Sequence, residues 1–217
     1  MHVPIRTKKK LQQTISINWS PTIIDYFHNF IKQFINLSEE EKQILKESND
    51  FWTLNYFKKK QFIGSKSNEI MYCIILKGAV KISVDRNECC QVQSLLIAGD
   101  FWIRRKEDAK KGIGEQIINC VEDTILLSIE HSDLLYLISK FDFLSIMKAG
   151  MEKKEICFLQ KRITDLQILT AYERYEELCK NSAEIIYRFN VGDIANYLGM
   201  KSETLSRIRN PMLMKVS

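Results

Sequence analysis

Near the C-terminus, apolar residues recur at intervals of three and four, the period of helices that pack by one face. Within 190–210 (NVGDIANYLGMKSETLSRIRN), Ile194, Ala195, Leu198, Met200, Leu205 and Ile208 form an inward set that predicts two short helices joined by a tight turn. Ala195 is small enough for a steep crossing, and Gly199 suits a turn residue at positive φ. Asn190 can cap the first helix, and Asp193 places a carboxylate in its first turn, where the helix dipole favours it. The second helix then leaves Lys201, Ser202, Glu203, Ser206, Arg207 and Arg209 on its polar side.

The same period runs through a long segment upstream. Ile156, Leu159, Ile163 and Leu166 follow three-four spacing, and Leu144, Met147 and Met151 continue the stripe less strictly, so one helix is predicted from Phe143 to about Thr170. Such a stripe needs a cover: its own domain, a two-fold partner helix, or one on each face. A short helix is predicted over 131–138. Residues 170–189 read as an amphipathic helix and link, with Tyr172, Tyr175, Leu178 and Cys179 at helical spacing and therefore core.

Between 51 and 129 the period shortens. FWTLNYF (51–57), MYCIIL (71–76), AVKISVD (79–85), CQVQSLLI (90–97), EQIINCV (115–121) and TILLSI (124–129) predict short strands of a small antiparallel barrel or β-roll. Lys77-Gly78 and Gly99-Asp100 are its clearest turns. Ahead of it, Ser20-Pro21 opens a helix with Ile24, Phe27, Ile31 and Phe34 on its apolar face. Ser38 and Glu41 form a capping box for a second helix to about Lys46. Residues 1–20 carry the basic run 6–10 and no apolar stretch of signal-peptide length; they are expected to be a loose arm. Pro211 is expected to stop the last helix, and PMLMKVS is too short for a two-stranded wing.

The polar side of the last helix carries the candidate chemistry. Glu203 and Arg207 lie one helical turn apart; an arginine fork can grip O6 and N7 of guanine, and a glutamate can accept from N4 of cytosine. Ser206 can reach a base edge or a phosphate. Alone, the pair would read as an ordinary solvated ion pair. Accompanied by Ala195, Gly199 and the apolar set at their offsets, it reads as a DNA-reading helix.

GDIANYLGMKSETLSRIR resembles the helix-turn-helix of the Crp/Fnr family of bacterial transcription regulators, whose pattern of glutamate, two residues, serine and arginine falls on Glu203, Ser206 and Arg207. LKGAVKI (76–82) and AGDFW (98–102) are similar to that family's sensory domain, so the resemblance spans roughly 22–210. It implies an α+β fold. A double-stranded β-helix of the cyclic-nucleotide-binding-like type would occupy 21–140, after an arm at 1–20. A dimerisation helix would follow at 141–169, and a helix-turn-helix domain at 170–217. It further implies a parallel homodimer through the long helix, with recognition helices about 34 Å apart on a near-palindromic site in double-stranded DNA. A small-molecule effector and RNA polymerase are partners that the resemblance allows.

The nucleotide site departs from the family pattern. Cyclic-nucleotide binders follow the GDF turn with a glycine-glutamate pair and then an arginine with a small hydroxyl residue. Here Trp102 and Ile103 stand in the first pair's place, and no arginine lies between Lys111 and Ile117. Arg104 and Arg105 open a charged segment, RRKEDAKK, expected to be a solvated loop. Cyclic AMP is not the expected effector.

Composition adds boundaries. The chain of 217 residues is 45% apolar, enough for real cores, and its net charge of +5 suits a nucleic-acid partner without demanding one. Cysteines at 73, 89, 90, 120, 157 and 179 lack metal-ligand spacing, and none lies near the N-terminus where the resemblance would place cluster ligands. The vicinal Cys89-Cys90 pair reads as incidental thiols, and a reducing cytoplasm is expected. His2, His28 and His131 are scattered, which disfavours a metal-dependent roll enzyme; nucleophile elbow, P-loop and dinucleotide fingerprint are also missing from the sequence. No enzyme activity and no cofactor are expected. The competing reading is a sensory or protein-interaction roll whose DNA-binding end has decayed; retention of Glu203, Ser206 and Arg207 argues against it.

Overall fold

Ser20 and Pro21 start the first helix as their chemistry predicts. The Ser20 hydroxyl accepts from the Ile23 amide, and proline sits where a helical N–H has no partner anyway. The structure, a computed structural model, describes residues 15–16, 20–64, 70–86, 89–105 and 115–214. Helix α1 spans Pro21–Ile31 and α2 spans Glu39–Glu47, the latter opened by the reciprocal Ser38–Glu41 capping box.

Strands follow in the order β1 (Ile15–Ser16, ahead of α1), β2 (Thr53–Phe57), β3 (Met71–Lys77), β4 (Ala79–Arg86), β5 (Cys89–Ile97), β6 (Phe101–Arg104), β7 (Glu115–Cys120) and β8 (Thr124–Glu130). All pairings among the described strands are antiparallel, in sheets ordered β1-β2-β8-β3-β6 and β5-β4-β7. The helices α3 (His131–Ile138), α4 (Phe143–Ile168), α5 (Ala171–Asn181), α6 (Ala183–Arg188), α7 (Val191–Tyr197) and α8 (Ser202–Met214) complete the chain.

Strand β3 explains the architecture. Its MYCIILK sequence is a continuous apolar run, as befits a strand covered on both faces. Tyr72, Ile74 and Leu76 join a core with α1, α3 and the start of α4, built on Phe27, Phe30, Leu134, Leu144, Met147 and Met151. Cys73 and Ile75 point the other way, into a core between the sheets with Val80, Ile82, Trp102, Ile118 and Leu126. A third core joins the outer face of the second sheet, through Ala79, Val92 and Leu95, to α5–α8. Burial pushes the Cys73 thiol up to about 12 and the Cys120 thiol up to about 11, so both behave as small apolar side chains.

Several expectations need correction. Phe101–Arg104 is strand β6, which takes Arg104 out of the expected loop and is not among the predicted strands, because pairing with β3 buries Trp102 and Ile103 on opposite sides and leaves no alternation to read. Ile15 and Ser16 are not loose; they extend the first sheet opposite Tyr56 and Asn55. The buried face of α1 turns toward Ile23, Phe27, Phe30 and Ile31, with Ile24 only half-buried. The 170–189 helix breaks at Ser182, and Tyr172 lies 42% exposed rather than in the core. The last helix does not stop at Pro211 but continues to Met214; a proline's fixed φ is compatible with a helix even though it costs a hydrogen bond and crowds the preceding turn. The basic run at 6–10, the rest of the expected loop at 106–111 and the Cys89 side chain lie outside the described residues. Among the described residues no helix is long and apolar enough to cross a membrane.

Gly78 adopts φ +96 in the β3–β4 turn, and a Cβ there would stand 2.5 Å from the Asp123 carbonyl oxygen and 2.8 Å from Thr124 Cα. Both obstacles are backbone and cannot rotate away. Gly78→Ala is expected to cost more than about 2 kcal/mol, read as a lowered urea midpoint by tryptophan fluorescence.

Candidate nucleic-acid interface

The two-helix unit forms from short-range signals. Asn190 caps α7, its Oδ1 accepting from the Asp193 amide at 2.8 Å. The helix ends through Gly199 at φ +66, with the Met200 amide bonded to the Ala195 carbonyl. Ile194, Ala195 and Leu198 pack against Leu205, all buried, with Ile208 half-buried beside them. The predicted inward set is therefore the set that packs.

On the opposite side of α8, Lys201, Ser202, Glu203, Ser206 and Arg207 are exposed. Arg209 is only half-exposed. It stands near Tyr175, whose hydroxyl burial pushes up to about 12 against the pull of that charge. Among the described residues, Glu203 and Arg207 make no ion pair with each other, so both charged ends face outward uncommitted. A fork, a carboxylate and a hydroxyl within one turn of an exposed helix can meet base edges in a major groove.

The unit is seated on the second sheet by contacts that sequence periodicity did not reveal. Asn196 meets β5 like a strand partner: its Oδ1 accepts from the Val92 amide at 2.6 Å, and its Nδ2 donates to the Cys90 carbonyl at 3.3 Å. Gln91 Nε2 donates to the Asn196 carbonyl at 2.6 Å. Lys81 Nζ on β4 pairs with Asp193 at 2.6 Å, and Arg188 holds Glu122 through two bonds of 2.9 and 2.6 Å. Arg188 keeps the Glu122 carboxyl below the usual range by hydrogen bonding. These partners lie far apart in the chain, and nothing local marks them.

A cavity of about 440 Å³ lies where β5, β6, α4 and α5–α7 meet, lined by Leu96, Trp102, Arg105, Glu155, Phe158 and Tyr197 among others. Trp102 Nε1 and Gln116 Oε1, both on its wall, are buried and have no hydrogen-bond partner among the described residues. Arg105 is not a solvated loop residue: it forks onto Glu155 of α4 with bonds of 3.0 and 2.6 Å. Arg104 ends β6 opposite Met71.

No protein-family model matches the sequence, and no curated protein matches it. Solved structures do match the fold. A mutant of CooA from Carboxydothermus hydrogenoformans aligns with a TM-score of 0.62 at 19% identity, covering 82% of each chain. FixK2 from Bradyrhizobium japonicum aligns with a TM-score of 0.62 at 18% identity, covering 76% of this chain and 85% of that one. CLP, a c-di-GMP responsive global regulator of Xanthomonas campestris, aligns with a TM-score of 0.58 at 13% identity, over 80% of this chain and 92% of its own. From β-roll through long helix to helix-turn-helix, the chain has the fold that solved Crp/Fnr-type regulators share.

Proposed function

We propose that the protein is a sequence-specific DNA-binding transcription regulator of the Crp/Fnr type, acting as a homodimer that reads a near-palindromic site with α8. The observation that carries this reading is the exposure of Glu203, Ser206 and Arg207 on one side of a helix whose other side is locked into a helix-turn-helix core. In this role Arg207 grips a guanine, Glu203 accepts from a cytosine, and Ser206 contacts a base edge or phosphate. Lys201, Ser202 and Arg209 serve the DNA backbone and orient the helix. The corresponding division is a sensor roll at 21–140, joined by the strand Ile15–Ser16, a dimer helix at 141–169 and a DNA-binding domain at 170–217.

Support for a dimer comes from α4. Its first half is buried under the roll at Leu144, Met147 and Met151, whereas Ile156, Leu159, Ile163 and Leu166 are 55%, 37%, 57% and 40% exposed along one stripe. A partner copy of the same stripe is the self-complementary cover.

Support for an effector comes from the cavity at the junction of roll, α4 and DNA-binding unit. Its Arg105 and Glu155 pair with each other, its Asp100 accepts from the Ile97 amide, its Lys154 donates to Gln33, and its two unpartnered atoms are one donor and one acceptor. That lining suits a small uncharged molecule better than a cyclic phosphate. Filling it would act on the angle of the two recognition helices by favouring one arrangement of the three bodies.

Selection of bound duplexes from a random library should yield an inverted repeat. Arg207→Ala should cost about 1–3 kcal/mol and relax one base position in each half-site, whereas Lys201→Ala should weaken specific and random DNA alike. Equal losses on specific and random DNA for Arg207→Ala would remove its base-reading role. Ile163→Glu places a charge in the stripe, and sedimentation equilibrium should show a monomer at concentrations where the unaltered protein is a dimer. A dimer persisting in that variant would place the interface elsewhere.

A further inference from the structure

Two arginines on the helices preceding the helix-turn-helix are spent on its backbone. Arg162 of α4 donates from Nη2 to the Tyr197 carbonyl at 2.6 Å and to the Val92 carbonyl at 3.4 Å. Its guanidinium lies over the Tyr197 ring, 4.1 Å from the centroid. Arg174 of α5 donates from Nε to the Leu198 carbonyl at 2.8 Å and from Nη1 to the Leu169 carbonyl, at the end of α4, at 2.5 Å. Among the described residues neither arginine makes an ion pair.

The carbonyls they choose are informative. A helix leaves its last carbonyls without amide partners. In α7 the turn amides of Gly199 and Met200 take up the Asn196 and Ala195 carbonyls. Those of Tyr197 and Leu198 remain, and each receives one arginine. Positive charge is favourable at that end of a helix, and the planar fork fixes direction as well as distance. Leu166, one helical turn after Arg162, approaches the same turn so closely that a Cβ at Gly199 would be 3.0 Å from its Cδ2. The end of α4, the bend into α5 and the turn of the helix-turn-helix are thus locked at three neighbouring points, none of them on the exposed side of α8.

We infer that Arg162 and Arg174 are positioning residues that set the angle between the dimer helix and the recognition helix, and so determine which half-site spacing the dimer accepts. This rests on the dimeric regulator reading above. With α4 fixed to its partner copy, any rotation of the two-helix unit about the end of α4 changes the separation of the two α8 helices. Base preference within a half-site is set by α8 alone and is separate from that angle.

The test uses the full-length protein and duplexes carrying two copies of its selected half-site as inverted repeats, with the spacer varied in single base-pair steps, beside a duplex with one half-site. The unaltered protein should prefer one spacer. In Arg162→Met that preference should fall about tenfold, the size expected for losing hydrogen bonds from a charged donor, while single half-site binding stays within about twofold. Arg162→Lys keeps the charge but not the fork or the stacking, and should recover only part of the preference. Arg174→Met should broaden spacing in the same way, and it carries the test if Arg162→Met does not fold by circular dichroism. Unchanged spacer preference in both methionine variants would overturn the inference, as would a parallel loss of single half-site binding, which would mean that the arginines only hold the unit folded. Failure of the unaltered protein to select any inverted repeat would instead refute the underlying regulator reading.

Discussion

The structure depends on the stiffness of α4. A continuous hydrogen-bonded helix of 26 residues cannot let its two ends answer to different neighbours independently. Its first half is pinned by Leu144, Met147 and Met151 under the first sheet, and the polar bonds of Tyr72 and Arg105 to Glu152 and Glu155 fix its rotation there. The direction of the exposed stripe from Ile156 to Leu166 is then determined by the roll. Whatever covers the stripe inherits that direction, and the bend at Leu169 passes it to the C-terminal helices.

The second consequence concerns the seat of that unit. Strand β5 is at the edge of its sheet, and an edge left open is a site for unwanted pairing. Asn196 covers it with a side-chain amide that copies a neighbouring strand's donor and acceptor. The ion pairs Lys81–Asp193 and Arg188–Glu122 are partly exposed and contribute little stability each; their role is orientation. Burial of Val92 and Leu95 against Leu178, Ile194 and Leu198 supplies the adhesion. Roll and two-helix unit therefore share a core, and the cavity at their junction touches both.

Much of this was legible in the chain because it is local. Caps at Ser20, Ser38 and Asn190, the turns at Gly78 and Gly199, and the inward set of the two-helix unit depend on residues within a turn of one another. The strands from β2 to β5, β7 and β8 carried enough β-branched and aromatic residues to be read. Strand β6 was not readable, because Trp102 and Ile103 are buried on opposite faces and arginines follow at once. The division of the α4 stripe was equally hidden: Met151 and Ile156 look alike in sequence, and only the roll decides which is covered. Arg162, Arg174 and Asn196 looked like ordinary surface residues, since most of their partners are backbone atoms 24 to 106 positions away. Backbone partners leave no trace in a pattern of side chains.

Departure from the nucleotide-binding pattern also has a packing reason. The register Tyr72↔Ile103 turns residue 103 toward the helices, where Ile103 is 3% exposed among Ile74, Leu127 and Met147. A carboxylate in that register would be ionised in an apolar core without a partner, at a cost of several kcal/mol or a large upward shift of its pKa. Trp102, paired with Cys73, takes the other face and fills the space between the sheets. Strand β6 thus stays in the sheet because its two central residues are apolar, and a glycine-glutamate pair there would give up both cores at once. What remains for recognition is the inner wall, where the Trp102 indole N–H is buried without a protein acceptor. An acceptor placed there would satisfy a buried donor that no described protein group satisfies.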